Sequence, residues 1–174
     1  MERLIRQRTA YNIIISALAF IFIVVPLLFY FPYKIHNFMP LLSSIHIGKL
    51  RYAGLIFIIS GTLVILWCYS IFITFGKGTP FHVIPPDKLI IKGLYKFVRN
   101  PMLASAMLVL MGEAILFEST GVVIYMIAGF FIWQLILIFF EEPQLRRRFG
   151  DSYTRYCREV PRWIPRLTPY NQNH

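Results

Sequence analysis

The stretch MLASAMLVLMGEAILFESTGVVIYMIAGFFIWQLILIFF, Met102 to Phe140, holds two apolar runs with no lysine or arginine, parted only by Glu118, Ser119, Thr120 and Gly121. Each run approaches the roughly 20 residues that a helix needs to cross a bilayer. So short a polar step allows only a tight helical hairpin. The residues before Met102 and after Phe140 therefore emerge on the same side of the membrane.

Two further runs lie upstream, Asn12 to Tyr33 and Tyr52 to Phe75. With 57% of 174 residues hydrophobic and 15% charged, a soluble domain could not hide its apolar surface. The expectation is an all-α polytopic membrane protein with about four transmembrane helices, at 12–33, 52–75, 102–117 and 122–140. A loop, 76–101, and an amphipathic helical tail, 141–174, complete it. No linker, repeat or low-complexity tract divides residues 1–174, which read as one membrane domain. The first run is too long for a secretory signal and lacks a small-x-small cleavage site, so it reads as a retained anchor. Cys68 and Cys157 make neither a disulfide framework nor a metal cluster.

The net charge of +10 is unevenly placed: twelve of the 18 cations flank one face, five from Lys77 to Arg99 and seven after Phe140, and none lies between the third and fourth runs. By the positive-inside rule both termini, the loop and the tail are cytoplasmic. These cations serve topogenesis and attraction to anionic lipid. Nucleic acid is excluded as a partner, because the basic residues sit at bilayer edges and no recognition module is present.

Two cytoplasmic segments carry chemistry. GLYKFVRNPM, Gly93 to Met102, ends in Arg99, Asn100 and Pro101 where the third span begins. Proline suits the first turn of a helix, and the free N–H groups there welcome an anion, to which Arg99 adds a planar fork of donors. EEPQLRRRFGDSYTRYCREVPRWIPR, Glu141 to Arg166, opens with two acids at the membrane lip, costly unless partnered. Glu142 is spaced to pair with Arg146 on one helix. The hairpin also brings Arg99 and Glu141 together. Leu145, Phe149, Tyr153, Tyr156 and Val160 form an apolar-aromatic seam across Gly150, with Arg147, Arg148, Arg155 and Arg158 outside it, as in a helix pair lying along headgroups. Glu113, inside the third span, is a functional candidate or the partner of Gln134 or Tyr125.

GKGTP followed by PP, then GLYKFVRNPM, Gly112-Glu113-Ala114 and the EEP tail resemble the isoprenylcysteine carboxyl methyltransferase and phospholipid methyltransferase superfamily of integral-membrane enzymes, in its bacterial-type branch. The resemblance covers about half the chain, Gly76 to Pro165. It implies a bacterial inner-membrane enzyme that binds S-adenosyl-L-methionine, releases S-adenosyl-L-homocysteine and methylates a membrane lipid or lipidated acceptor. That acceptor is of the isoprenylcysteine carboxylate or phospholipid headgroup type. Carried over residue by residue, it nominates Arg99, Asn100, Pro101, Glu141 and Glu142 for the cofactor, and His82 and Tyr95 join them from the loop. The pattern's usual Tyr and Gly are replaced here by Leu103 and Ser105, and Tyr95 is the stand-in for the lost tyrosine.

Such a cofactor needs a cation for its carboxylate and acids for its ammonium or ribose diol. Arg99, Glu141 and Arg162 are the residues assigned to the chemistry, with Arg162 and Arg166 free to hold an acceptor carboxylate or a lipid headgroup. An anionic acceptor meeting a methyl on positive sulfur needs positioning more than a general base. His82 either is a solvated loop residue or takes a proton from an amine acceptor. The competing readings are a small membrane transporter and a non-catalytic lipid-binding or assembly relative. The oligomeric state does not follow from sequence.

Overall fold

The computed structural model describes residues 11, 14–15, 17–38, 46–76 and 89–171, and among these every regular element is helical. Helix α1 is Ala17–Phe38. Helix α2, Gly54–Ile71, is entered through a 3-10 turn, Gly48–Ala53, and left through a π-helical turn, Phe72–Gly76. Helix α3 is Pro101–Leu116, and α4, Thr120–Ile136, passes through a π-helical turn, Leu137–Glu141, into α5, Glu142–Glu159. Three helical stretches are long and apolar enough to cross a membrane, and α3 is a shorter apolar helix. At 1.5 Å per residue α3 spans about 24 Å, less than a ~30 Å hydrocarbon core, which draws the residues before Pro101 close to the apolar layer.

The span boundaries shift modestly from the sequence expectation. The first helix runs on to Phe38, past Tyr33 and Lys34. Much of the expected loop, including His82, Pro80, Pro85 and Pro86, lies outside the described residues.

The core contact is α2 against α3, antiparallel, through small residues. A Cβ on Gly61 would lie 2.8 Å from the carbonyl oxygen of Ser105, and one on Gly112 2.6 Å from that of Gly54. A Cβ on Gly54 would strike the Gly112 carbonyl oxygen closer still. Lipid offers no hydrophobic drive between helices, so close backbone approach through small residues holds them. Ser105 fits this seam because its hydroxyl folds back to donate to the Pro101 carbonyl at 2.8 Å.

Helix α1 carries Pro32 in its interior and a π-helical turn at Pro26–Tyr30, in which Phe31 N–H bonds the Pro26 carbonyl. The Leu27 carbonyl thereby loses its usual helical donor, and Pro32 has no N–H to replace it. Tyr125 of α4 donates its hydroxyl to that carbonyl at 2.9 Å, bolting α4 to α1.

At the turn between α3 and α4, Glu118 adopts φ 52°. Its carboxylate accepts the backbone N–H groups of Ile47 at 2.8 Å and Gly48 at 3.1 Å, and lies 3.3 Å from His46 Nδ1. The Ile47 N–H first, then His46 and Gly48, hold this carboxyl below its usual range. His36 stacks on Phe117 at 5.0 Å, so both histidines sit at the turn end, opposite the tail.

The Glu113–Gln134 pairing does not form. Glu113 lies one turn from the end of α3, whereas Gln134 lies fourteen residues into α4 from the same turn, which separates them by roughly 15 Å along the bundle. Glu113 Oε2 and Gln134 Oε1 are both buried without a hydrogen-bond partner.

Candidate active site at the tail face

Gly93, at φ 56°, turns the chain into a short 3-10 turn, Gly93–Lys96, and a Cβ there would meet the Ile71 side chain at 2.8 Å. The turn drives Tyr95 inward, where its ring meets Phe72 edge-on at 5.5 Å. Its hydroxyl faces the Cys68 thiol, and burial pushes it well above the usual tyrosine range. Tyr95 is therefore packed against α2, and its hydroxyl makes no hydrogen bond to the ion cluster below among the described residues, while the Glu141 carboxyl lies within electrostatic range of it. Asn100 then caps α3 through its backbone: its carbonyl accepts from Ala104 N–H at 3.0 Å, its side chain makes no capping bond, and Pro101 occupies the first turn.

The tail is stitched onto this segment. Arg99 N–H donates to the Pro161 carbonyl at 2.9 Å, Arg166 N–H to Phe97 at 3.0 Å, and Tyr170 N–H to Lys96 at 2.9 Å. Tyr156 adds its hydroxyl to the Tyr95 carbonyl at 2.7 Å. Beneath these bonds Ile91, Tyr153, Tyr156, Val160 and Tyr170 form one buried cluster, against which Leu145 and Phe149 pack. Every residue of the expected seam is thus in it. The helix pair around Gly150 is also present, since α5 breaks there at φ 54°, ψ −129°.

The stitching assembles an ion cluster from three elements. Arg99 Nη1 lies 3.1 Å from Glu142 Oε1 and 3.1 Å from Cys157 Sγ. Arg162 grips the same carboxylate in a fork, Nε to Oε1 at 2.9 Å and Nη2 to Oε2 at 3.0 Å. The Glu142 carboxylate therefore serves Arg99 and Arg162 rather than Arg146. It also takes the place expected for Glu141 opposite Arg99. With Arg99 and Glu142 side chains 13% and 11% exposed, water does little to weaken these bonds. Two guanidiniums on one carboxylate leave a surplus positive charge, and Arg99 Nε is a buried donor with no partner.

Glu141, the first residue past the apolar run, makes no hydrogen bond or ion pair among the described residues. Burial first, then the adjacent Glu142 charge, pushes its carboxyl up to about 7. The acid pair is thus divided: Glu142 is paired with two guanidiniums, and Glu141 is unpaired with its carboxyl pushed up to about 7. Cys157 is the member that sequence reasoning missed. Its spacing of four from Tyr153 puts it on the seam's buried face, and that is the signal that could have found it.

A cleft of about 540 Å³ opens along residues 91–96, walled by Trp67 and Ile71 of α2 and Phe75 of the π-helical turn after it on one side and by Lys92, Lys96 and Tyr170 on the other. Lys92 Nζ sits 3.5 Å over the Phe75 ring. The wall is apolar where it continues a membrane helix and cationic where it leaves it.

Membrane-spanning helices that converge on a charged cluster at one face, closed by an amphipathic tail, define an integral membrane protein with a candidate site at that face. The phospholipid methyltransferase family model matches residues 50–152, more than half of the chain, and the protein belongs to that family of membrane methyltransferases. The match takes in Arg99, Asn100, Glu141 and Glu142 and stops before Cys157 and Arg162. No curated protein matches the chain.

Proposed function

We propose that the protein is an S-adenosylmethionine-dependent methyltransferase that works at the cytoplasmic membrane boundary on a lipophilic acceptor. The observation that carries the reading is the division of the acids: a surplus guanidinium charge with the unpartnered Arg99 Nε on Glu142, and an unpaired Glu141 next to Glu142 in the chain. An amino acid zwitterion asks for such a pair, a donor fork for its carboxylate and a carboxylate for its ammonium or diol. Arg99 and Asn100, with the first turn of α3, would hold the carboxylate end, and Glu141 the cationic end. The cofactor would supply an electrophilic methyl on a sulfonium. Arg162 acts at one remove, fixing Glu142 so that Arg99 is aimed.

The cleft beside Lys92 and Lys96 suits the acceptor, whose apolar part would lie on Trp67, Ile71 and Phe75 and whose anionic end would meet the lysines. The residues there favour a carboxylate or phosphate-bearing amphiphile of the isoprenylcysteine or phospholipid type. Burial at the boundary raises the reactivity of such an anion, because its attack on a cation annihilates charge. The cationic loop and tail argue that this face is cytoplasmic.

The test is transfer of a labelled methyl group from S-adenosylmethionine to a native membrane lipid extract by the protein in lipid nanodiscs. The reading expects label in an organic-soluble product, lost in Arg99→Ala and reduced at least several-fold in Lys92→Glu/Lys96→Glu. Label confined to water-soluble products would exclude a lipophilic acceptor.

A further inference from the structure

We infer that the tail segment Trp163 to Leu167 is a wedge inserted into the acyl region of the leaflet on the tail face, and that this insertion helps to seat Arg162 on Glu142. The inference rests on the membrane-spanning fold and not on the methyl-transfer reading.

Trp163 packs on Phe130 of α4, ring centroids 5.1 Å apart. Phe130 lies eleven residues before Glu141, so its backbone is roughly 16 Å below the tail-face end of that helix, deep in the apolar run. Even across two long side chains, the contact draws the tail down the flank of α4 rather than out into water. On the same side of α4, one turn earlier, lies Ile127, and Phe131 borders it, both exposed as lipid-facing side chains are.

Next to Trp163 the tail presents Ile164, 79% exposed, and Leu167, 99% exposed. These are not the side chains of a loose end. Arg166 N–H is bonded to the Phe97 carbonyl, Tyr170 N–H to that of Lys96, and Tyr170 is buried. A backbone pinned on both sides thus holds two large aliphatic groups outward, at a cost in water unless something apolar receives them. Cations lie close by in the chain: Arg155 and Arg158 are exposed on α5, and Arg166, within the segment, is bonded to the Glu159 carbonyl at 3.2 Å. An aromatic, two aliphatics and a cationic rim match the acyl boundary beneath anionic headgroups. Continuity with the lipid-facing flank of α4 selects lipid as the occupant over a second protein surface.

Arg162 immediately precedes this wedge, so lipid contact and the Arg162 fork on Glu142 are mechanically joined. A tail lifted from the leaflet would carry Arg162 with it.

The measurement is nitroxide accessibility in proteoliposomes containing anionic lipid. Single labels at Ile164→Cys, Leu167→Cys and the control Arg158→Cys, in a Cys68→Ala/Cys157→Ser background, are compared for collision with oxygen and with a water-soluble nickel chelate. The wedge requires an oxygen-to-nickel ratio at 164 and 167 several-fold above that at 158. Ratios equal to the control would overturn it, and so would spin–spin broadening relieved by dilution with unlabelled protein, which would make a second copy the occupant. Leu167 packs against nothing in the protein, so its label cannot disturb the fold. Quenching of Trp163 by brominated lipid in Trp67→Phe/Trp133→Phe protein checks the depth independently: strong quenching supports insertion, and none contradicts it.

Discussion

Arg162 closes both oxygens of the Glu142 carboxylate, at 2.9 and 3.0 Å, while Arg99 meets one of them from another element at 3.1 Å. The three groups are therefore unequal. Glu142→Ala strands two half-buried guanidiniums and should cost about 2–4 kcal/mol. Arg99→Ala leaves a complete bidentate pair and should cost about 1–3 kcal/mol. Thermal unfolding in detergent should rank wild type above Arg99→Ala above Glu142→Ala. Equal losses would mean that the carboxylate is not the hub.

Glu141 sets a pH dependence. Its folded pKa, about 7, lies above the ordinary carboxylate value of 4.5, so the native state binds this proton more tightly than the unfolded chain does. Stability from this group is therefore full at low pH and declines as pH rises from about 4.5 through about 7. Binding of a cationic amine runs the other way, since it needs the ionised acid. Affinity for S-adenosylhomocysteine should rise between about pH 6 and 8. In Glu141→Gln both trends should flatten, which calorimetry and melting curves across that range can check.

The glycines of the α2–α3 seam should separate sharply from one on an open face. A methyl at Gly112 or Gly61 meets backbone atoms that cannot move aside, so alanine at either should cost about 1–3 kcal/mol or more. Gly129 has nothing within 4 Å of its would-be Cβ, and alanine there should leave stability within about 0.5 kcal/mol or improve it. Melting temperatures of the three variants in one detergent decide the point.

Tyr125→Phe removes only the hydroxyl that serves the Leu27 carbonyl. The expected loss is about 0.5–1.5 kcal/mol. It should appear as faster hydrogen exchange around Leu27 if α4 bolts α1 at this place.

The membrane class, the α3–α4 hairpin and the meeting of Arg99 with an acid at one face were legible because charge sets topology and a four-residue turn fixes neighbours. Which acid faces Arg99 was not. Adjacent residues on a helix point about 100° apart, and the π-helical turn Leu137–Glu141 inserts an extra residue that rotates the face presented. The spacing of seven between Gly54 and Gly61, and again between Ser105 and Gly112, is visible in the chain. That the two pairs meet becomes visible only in three dimensions. The tail beyond Val160 has no periodicity, so neither the fold-back of Arg162 nor the contact of Trp163 with Phe130 could be read from it. Tyr95 was chosen for its hydroxyl, and the left-handed turn at Gly93 that buries that hydroxyl near Cys68 could not be read from the sequence.

The central claim, that Arg99 and Glu141 form the two poles of a cofactor site, is tested most directly by titrating S-adenosylhomocysteine into purified protein in a calorimeter. Saturable one-site binding is expected for wild type. Arg99→Ala and Glu141→Gln should each weaken it roughly ten- to hundred-fold, the loss of one charge-assisted hydrogen bond. Folded wild-type protein that gives no binding heat, or binding indifferent to both substitutions, would contradict the account.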